Sequence, residues 1–133
     1  MSFKQFILIT GGSGFYGKNL VQRLSKKKIK IILLEKNKNF FLKRNRNIKQ
    51  FYFDVSSKND LESLVTKLKK YSIKTIVHMA GIVDNPDQEI NNSVNFQGTK
   101  NVLMLSKKLR TKKFIFISAI AAKYNKFTSD ITQ

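Results

Sequence analysis

Gln5-Phe6-Ile7-Leu8-Ile9-Thr10-Gly11-Gly12-Ser13-Gly14-Phe15-Tyr16-Gly17-Lys18-Asn19-Leu20-Val21 reads as a short apolar strand, then a glycine-rich turn, then the opening of a helix. Gly11, Gly14 and Gly17 fall at the spacing G-x-x-G-x-x-G. Each glycine answers a separate need. Gly11 lets the chain reverse sharply after the strand. Gly14 lets the backbone approach a diphosphate, and Gly17 lets the helix pack closely on the strand. The unpaired N–H groups and positive dipole end of the helix then face negative charge. A nucleoside-triphosphate loop would need Gly-Lys-Ser/Thr, and Gly17-Lys18-Asn19 lacks the hydroxyl that holds magnesium.

On the helix side, Leu20, Val21 and Leu24 make an apolar face that runs out into Lys26-Lys27-Lys28, cations suited to a helix carboxyl end. Ile29 to Leu34 form a second apolar strand closed by Glu35. A carboxylate about 20 residues beyond a glycine turn is placed to accept hydrogen bonds from ribose hydroxyls. That predicts NAD in preference to NADP. Lys36 and Lys38 weaken the preference, since a cation there can receive a 2′-phosphate, and Glu35 could instead be a surface carboxylate paired with those lysines.

Further out, Lys36 to Lys49 is basic and Asn-rich around Phe40, Phe41 and Leu42. It reads as a loop with one short helical turn whose phenylalanines pack back on the domain. Ile48 to Phe53 form a third strand leading to Asp54-Val55. Ser56 or Ser57 is expected to cap the next helix, with Asp60 near its positive end and Leu61, Leu64, Val65 and Leu68 as its buried stripe. Thr75 to His78 form a fourth strand opening into Met79-Ala80-Gly81, small residues that leave room for a cofactor. His78, the single histidine, has no metal-binding or triad partners in the pattern and reads as structural. A long helix, irregular at its start, is expected from Pro86 to Leu109, with Val94, Val102, Leu105 and Leu109 inward. Lys113 to Ser118 form the fifth strand, with Ser118 at its carboxyl end above the same cofactor crevice. Strands alternating with helices predict a parallel α/β sheet. With the ligand turn after the first strand, the order is 3-2-1-4-5, a doubly wound Rossmann fold occupying residues 1–133 as one domain.

Composition bounds the rest. There is no run of 18 apolar residues to cross a membrane, and a strand begins too soon for a signal peptide to precede it. The lack of cysteine excludes disulfides and thiolate metal sites and fits a cytoplasmic protein. The formal charge is +18, yet 22 lysines against 4 arginines, spread along the chain, do not form the bidentate pattern of specific nucleic-acid recognition. Abundant Lys, Asn and Ile are what an A+T-rich coding sequence produces. Only weak attraction to polyanions follows.

With these pieces in order, the chain resembles the N-terminal part of an extended short-chain dehydrogenase/reductase of the NAD-dependent epimerase/dehydratase branch, which acts on nucleotide-sugars. The resemblance is carried by Thr10-Gly11-Gly12-Ser13-Gly14-Phe15-Tyr16-Gly17, Asp54-Val55, His78-Met79-Ala80-Gly81, Asn95-Phe96-Gln97-Gly98-Thr99-Lys100-Asn101-Val102-Leu103 and Phe114-Ile115-Phe116-Ile117-Ser118. It implies that Gly11, Ser13, Gly14 and Gly17, with the backbone of Phe15 and Tyr16, hold the diphosphate. It gives the adenosine ribose to Glu35 and adenine to Asp54 and Val55. Met79, Ala80 and Gly81 would line the nicotinamide side, and Asn95 would steady the neighbouring strand within the active-site network.

Two departures follow. The family ends its fifth strand in two hydroxyl residues, whereas Ser118 is followed by Ala119, so either Ser118, a remnant of that pair, substitutes or the function is missing. The family's Tyr-x-x-x-Lys, in which lysine lowers the tyrosine pKa for proton transfer, has no counterpart: Tyr16, Tyr52, Tyr71 and Tyr124 are followed four positions on by Leu20, Ser56, Thr75 and Thr128. The resemblance thus implies a cofactor-binding part truncated before the sixth strand and substrate domain, with a nucleotide-sugar substrate only in a full-length form. The alternatives are a non-catalytic dinucleotide-binding module and a basic nucleic-acid-binding protein.

Overall fold

The computed structural model describes residues 4–36, 45–82 and 85–118. Five strands, β1 (Gln5–Thr10), β2 (Lys30–Glu35), β3 (Ile48–Tyr52), β4 (Ser72–His78) and β5 (Lys113–Phe116), pair in parallel in the order β3-β2-β1-β4-β5. This is the expected Rossmann order. Parallel neighbours require a crossover over one face or the other, which brings every strand's carboxyl end to the same edge of the sheet. The glycine turn, Glu35, Asp54 and Met79 therefore gather at that edge.

Strand alternation divides the core between the two faces. Ile9, Ile31, Leu33 and Val77 pack under helix α1 (Phe15–Lys26) through Val21. Leu8, Ile32, Leu34 and Ile76 pack on the other face beneath α2 (Leu61–Leu68) and α4 (Gly98–Lys108), meeting Leu64, Leu68, Val102 and Leu105. Continuous apolar runs in β1 and β2 suit strands covered on both sides.

Several boundaries differ from the sequence expectation. β4 begins at Ser72 rather than Thr75, because a register shift against β1 between Phe6 and Ile7 skips Lys74 and lets Ser72 and Ile73 pair as well. β3 stops at Tyr52, while Phe53 N–H still donates to the Glu35 carbonyl (3.0 Å). β5 stops at Phe116, although Ile117 N–H reaches the His78 carbonyl (3.0 Å). Neither Ser56 nor Ser57 caps α2. Ser56 turns its N–H and Oγ back to Asp54 Oδ1 (3.0 and 2.6 Å), and Asp60 stands at the helix start. The bent-back serine satisfies the carboxylate locally, which removes it from cap duty.

The long helix is irregular at its start, as expected: α3 (Gln88–Asn91) passes through a π-helical segment, Asn92–Gln97, into α4. Asp87 caps α3 through Glu89 and Ile90 N–H. Val102 and Leu105 are buried, with Val94 and Leu109 partly covered beside them. The expected packing of Phe40 and Phe41 lies outside the described residues. No helix among the described residues is long and apolar enough to cross a membrane.

Candidate dinucleotide site

Gly11 adopts φ +70°, and a Cβ there would come within 2.6 Å of the Ala80 nitrogen. Only glycine fits a left-handed turn pressed this closely on the next strand end. Gly14 N–H closes the turn on the Gly11 carbonyl (3.2 Å). A Cβ on Gly17 would lie 2.1 Å from that same carbonyl, so the third glycine permits helix and turn to touch. A Cβ on Gly14 would meet only the Gly11 carbonyl, at 3.4 Å. Gly14 begins α1 with no side-chain cap and no acid in the first turn, which leaves the helix amino end open to an anion.

A cleft of about 280 Å³ lies over this turn. Its floor is Gly11, Ser13 and Gly14; one wall is Glu35, Lys36, Asp54 and Val55, and the other is Met79, Ala80, Gly81 and Ile82. The structure thus brings most of the expected residues to one place. Leu34, Lys36, Phe53, Ile82 and Val94 also line it. Leu34 and Phe53 immediately precede Glu35 and Asp54, so the ends of the apolar strands were their only sequence signal. Five expected residues do not line the cleft: Phe15, Tyr16, Gly17, Asn95 and Ser118. The Phe15 and Tyr16 side chains are exposed and packed edge to face on each other (centroids 5.3 Å), leaving only their backbone toward the anion end. Ser118 is exposed beyond the end of β5 and does not line the cleft. Ala119 and Tyr124 fall outside the described residues.

Glu35 is 4% exposed and reaches across to accept the Ser13 N–H at Oε1 (3.0 Å). Burial raises its pKa; hydrogen bonds from Ser13 and Gly12 offset this in part. Gly12 permits the contact, since a Cβ there would sit 3.0 Å from Oε1. Asp54 is balanced the other way. Burial pushes it up, but Ser56 and the Lys36 ammonium outweigh that and lower its pKa. Lys36 Nζ stands 3.2 Å from Asp54 Oδ2. The cation that blurred the choice of cofactor is therefore already partnered by a carboxylate, and Lys38 lies outside the described residues.

The helix behind the second wall is tied on by asparagines. Asn95, on the π-helical segment, accepts the Ile82 N–H and donates to the Ile82 carbonyl (both 2.9 Å). Asn101 is fully buried and donates to the Val55 carbonyl (2.8 Å). Its role escaped the sequence reading, where Asn101 stood only within the run Asn95 to Leu103 that carries the resemblance. Gly98 permits the approach, because a Cβ there would lie 2.9 Å from Val55 Cγ2. Among the described residues no three His, Cys, Asp or Glu side chains are grouped to hold a metal ion.

A parallel 3-2-1-4-5 sheet with a glycine turn after β1 and an acid at the end of β2 defines the class: dinucleotide-binding Rossmann domains. The particular family follows from comparison, since the model of the NAD dependent epimerase/dehydratase family matches residues 7–133 and the chain belongs to that family. Among its relatives, the decarboxylating sterol-4-alpha-carboxylate 3-dehydrogenase of Candida albicans is 30% identical over 129 residues, covering 91% of this chain and 36% of that protein. The dTDP-D-glucose 4,6-dehydratase of Dictyostelium discoideum is 32% identical over 130 residues, covering 87% of the chain and 29% of its own length. Among solved structures, the Bordetella bronchiseptica enzyme WbmG, in complex with NAD and UDP, superposes with a TM-score of 0.70 at 24% identity, over 83% of this chain and 36% of that one. The chain spans about a third of the length of these proteins.

Proposed function

We propose that residues 1–133 form the NAD-binding part of an epimerase/dehydratase-type oxidoreductase whose full-length form acts on a nucleotide-sugar. The observation that carries this reading is Glu35 folded over the glycine turn onto Ser13 N–H, at the mouth of the cleft. A buried carboxylate whose desolvation is only partly offset by Ser13 and Gly12 gains from further donors on a ligand. Ribose hydroxyls would donate to it, while a 2′-phosphate would meet like charge. The diphosphate would lie on Gly11, Ser13, Gly14 and the open end of α1, adenine between Asp54 and Val55, and the nicotinamide half along Met79, Ala80 and Gly81. Asn95 would hold that wall through Ile82.

Bound NAD supplies a hydride acceptor. Taking a hydride from an alcohol carbon also requires the hydroxyl proton to leave, so a base must stand within hydrogen-bond reach. The chain has no Tyr-x-x-x-Lys, and Ser118-Ala119 lacks the second hydroxyl. This part alone therefore binds cofactor without turning it over. Calorimetric titration at moderate salt tests the reading: saturable NAD binding, NADP about tenfold or more weaker, and no NADH absorbance with UDP- or dTDP-sugars. Equal or reversed affinities sink the ribose assignment to Glu35. Sustained NADH formation above a heat-treated control sinks the assignment as a binding part only.

A further inference from the structure

Thr10, at the end of β1, is fully buried and makes more contacts than a strand-end threonine needs. Its Oγ1 accepts the Met79 N–H (3.2 Å) and the Ala80 N–H (3.1 Å), and it lies 2.6 Å from His78 Nδ1. A threonine hydroxyl has two lone pairs and one proton. The Ala80 N–H and the Met79 N–H, the latter shared with the Thr10 carbonyl (3.2 Å), approach the lone pairs, which turns the hydroxyl proton to Nδ1 and leaves Nδ1 bare. The ring then carries its proton on Nε2, which faces Thr99 Oγ1 at 3.0 Å. Thr99 in turn donates to the Asn95 carbonyl (2.6 Å). Apart from the Met79 N–H, shared between the Thr10 carbonyl and Oγ1, each donor in this run has one acceptor. The two ends of the run hold the cleft wall: Thr10 at Met79 and Ala80, and Asn95, through its side chain, at Ile82.

We propose that His78, fixed as the neutral Nε2–H tautomer, is the positioning residue of this wall, joining its Thr10 anchor to its Asn95 anchor so that Met79 to Ile82 keep the shape against which the dinucleotide lies. The inference rests on the dinucleotide reading of the cleft for its functional consequence, but not for the tautomer. A proton on Nδ1 would crowd the N–H groups already at Thr10 Oγ1, and a neutral ring bearing it would leave Nε2 bare and without a donor, since Thr99 gives its one proton to the Asn95 carbonyl. The surroundings oppose such a proton too. His78 is fully buried, stacked 5.7 Å from the Phe116 ring and 6.2 Å from Phe114, and no charged side chain faces it among the described residues. Burial alone pushes its pKa down to about 4.

Because the chain has a single histidine, its imidazole signals are unambiguous. Long-range ¹H–¹⁵N correlation on the apo chain should show an unprotonated Nδ1 and a protonated Nε2, unchanged from about pH 7.5 to about 5.5, across the range where a free imidazole titrates. A protonated Nδ1, a tautomer mixture or a midpoint near the free value overturns the proposal. A second comparison separates positioning from packing. Thr99→Val removes the acceptor at nearly constant volume, and Thr99→Ser keeps it. Thr99→Val should mix the His78 tautomers, shift the amide resonances of Ala80 to Ile82, and weaken NAD binding about tenfold; Thr99→Ser should restore all three. Unchanged tautomer and amides in Thr99→Val overturn the coupling. If the wild-type chain binds no NAD, the proposed function fails, while the tautomer and amide readouts still decide the role of His78.

Discussion

β2 and β5 start alike, a lysine followed by large apolar side chains, yet they end in opposite surroundings. Ile31 to Leu34 are at most 2% exposed, whereas Ile115 and Phe116 are 38% and 51% exposed. β2 lies between β1 and β3 with α1 on one face and α2 and α4 on the other; among the described residues β5 pairs only with β4. The cleft inherits this imbalance. The side that would grip adenosine begins on β2, packed on both faces, and its acid is held by a backbone N–H, while the edge strand β3 beside it is largely exposed. The side toward β5 has apolar residues open to water and an exposed Ser118. β2 is thus the finished side of the contrast and β5 the open one.

The sharpest way to break this contrast is truncation on each strand. Ile32→Ala should cost about 3–4 kcal/mol, the transfer term plus an unfilled cavity, and Ile115→Ala less than about 1 kcal/mol. Urea unfolding of both variants checks it, and equal losses would mean that β5 is covered in solution.

His78 gives the next largest effect, in acid. Its folded pKa, about 4, lies below the ordinary 6.5. The stability this represents is fully present above pH 6.5 and is lost as pH falls toward 4, because the unfolded chain takes up a proton that the folded one refuses. The loss over that window should be on the order of 3 kcal/mol. A pH series of unfolding curves should show it in the wild type, with a shallower decline in His78→Gln.

Gly14→Val addresses the finished side alone. The space beyond the Gly11 carbonyl is open, so the fold and melting temperature should stay close to wild type. The branched side chain would stand where the diphosphate must approach, and NAD affinity should fall at least about a hundredfold. Retained affinity would remove the phosphate cradle from the turn.

Glu35→Gln should have the smallest effect, and two signs. Since burial raises the pKa of this carboxyl, its ionised form works against folding, and the strain grows as pH rises through the folded pKa. The amide should melt higher than wild type at pH 7 and no higher near pH 3. Discrimination of NAD from NADP should drop by roughly tenfold. A variant that melts lower at pH 7 would mean that the Ser13 contact outweighs burial.

Local pattern made most of the fold legible. Apolar runs of strand length, a helical stripe at Leu61, Leu64, Val65 and Leu68, and glycines at fixed spacing are interactions between near neighbours in the chain, and each carries its own signature. Glu35, Asp54 and Met79 could be read as site residues for the same reason: each ends an apolar strand, and parallel strands align their ends.

The sequence by itself determined the alternation of strands and helices, the anion-binding turn and the missing Tyr-x-x-x-Lys. Tertiary structure decided what depends on partners far along the chain. Asn101 holds the Val55 carbonyl across 46 positions, and Thr10 meets His78 across 68. It also decided that Lys36 pairs with Asp54, that Ser56 turns back from the helix it was expected to cap, and that two similar apolar strands become one buried and one exposed. The physical reason is common to all of these. A side chain's chemistry is fixed by its residue type, but its burial and its hydrogen-bond partner are properties of the packed neighbourhood, which no local pattern encodes.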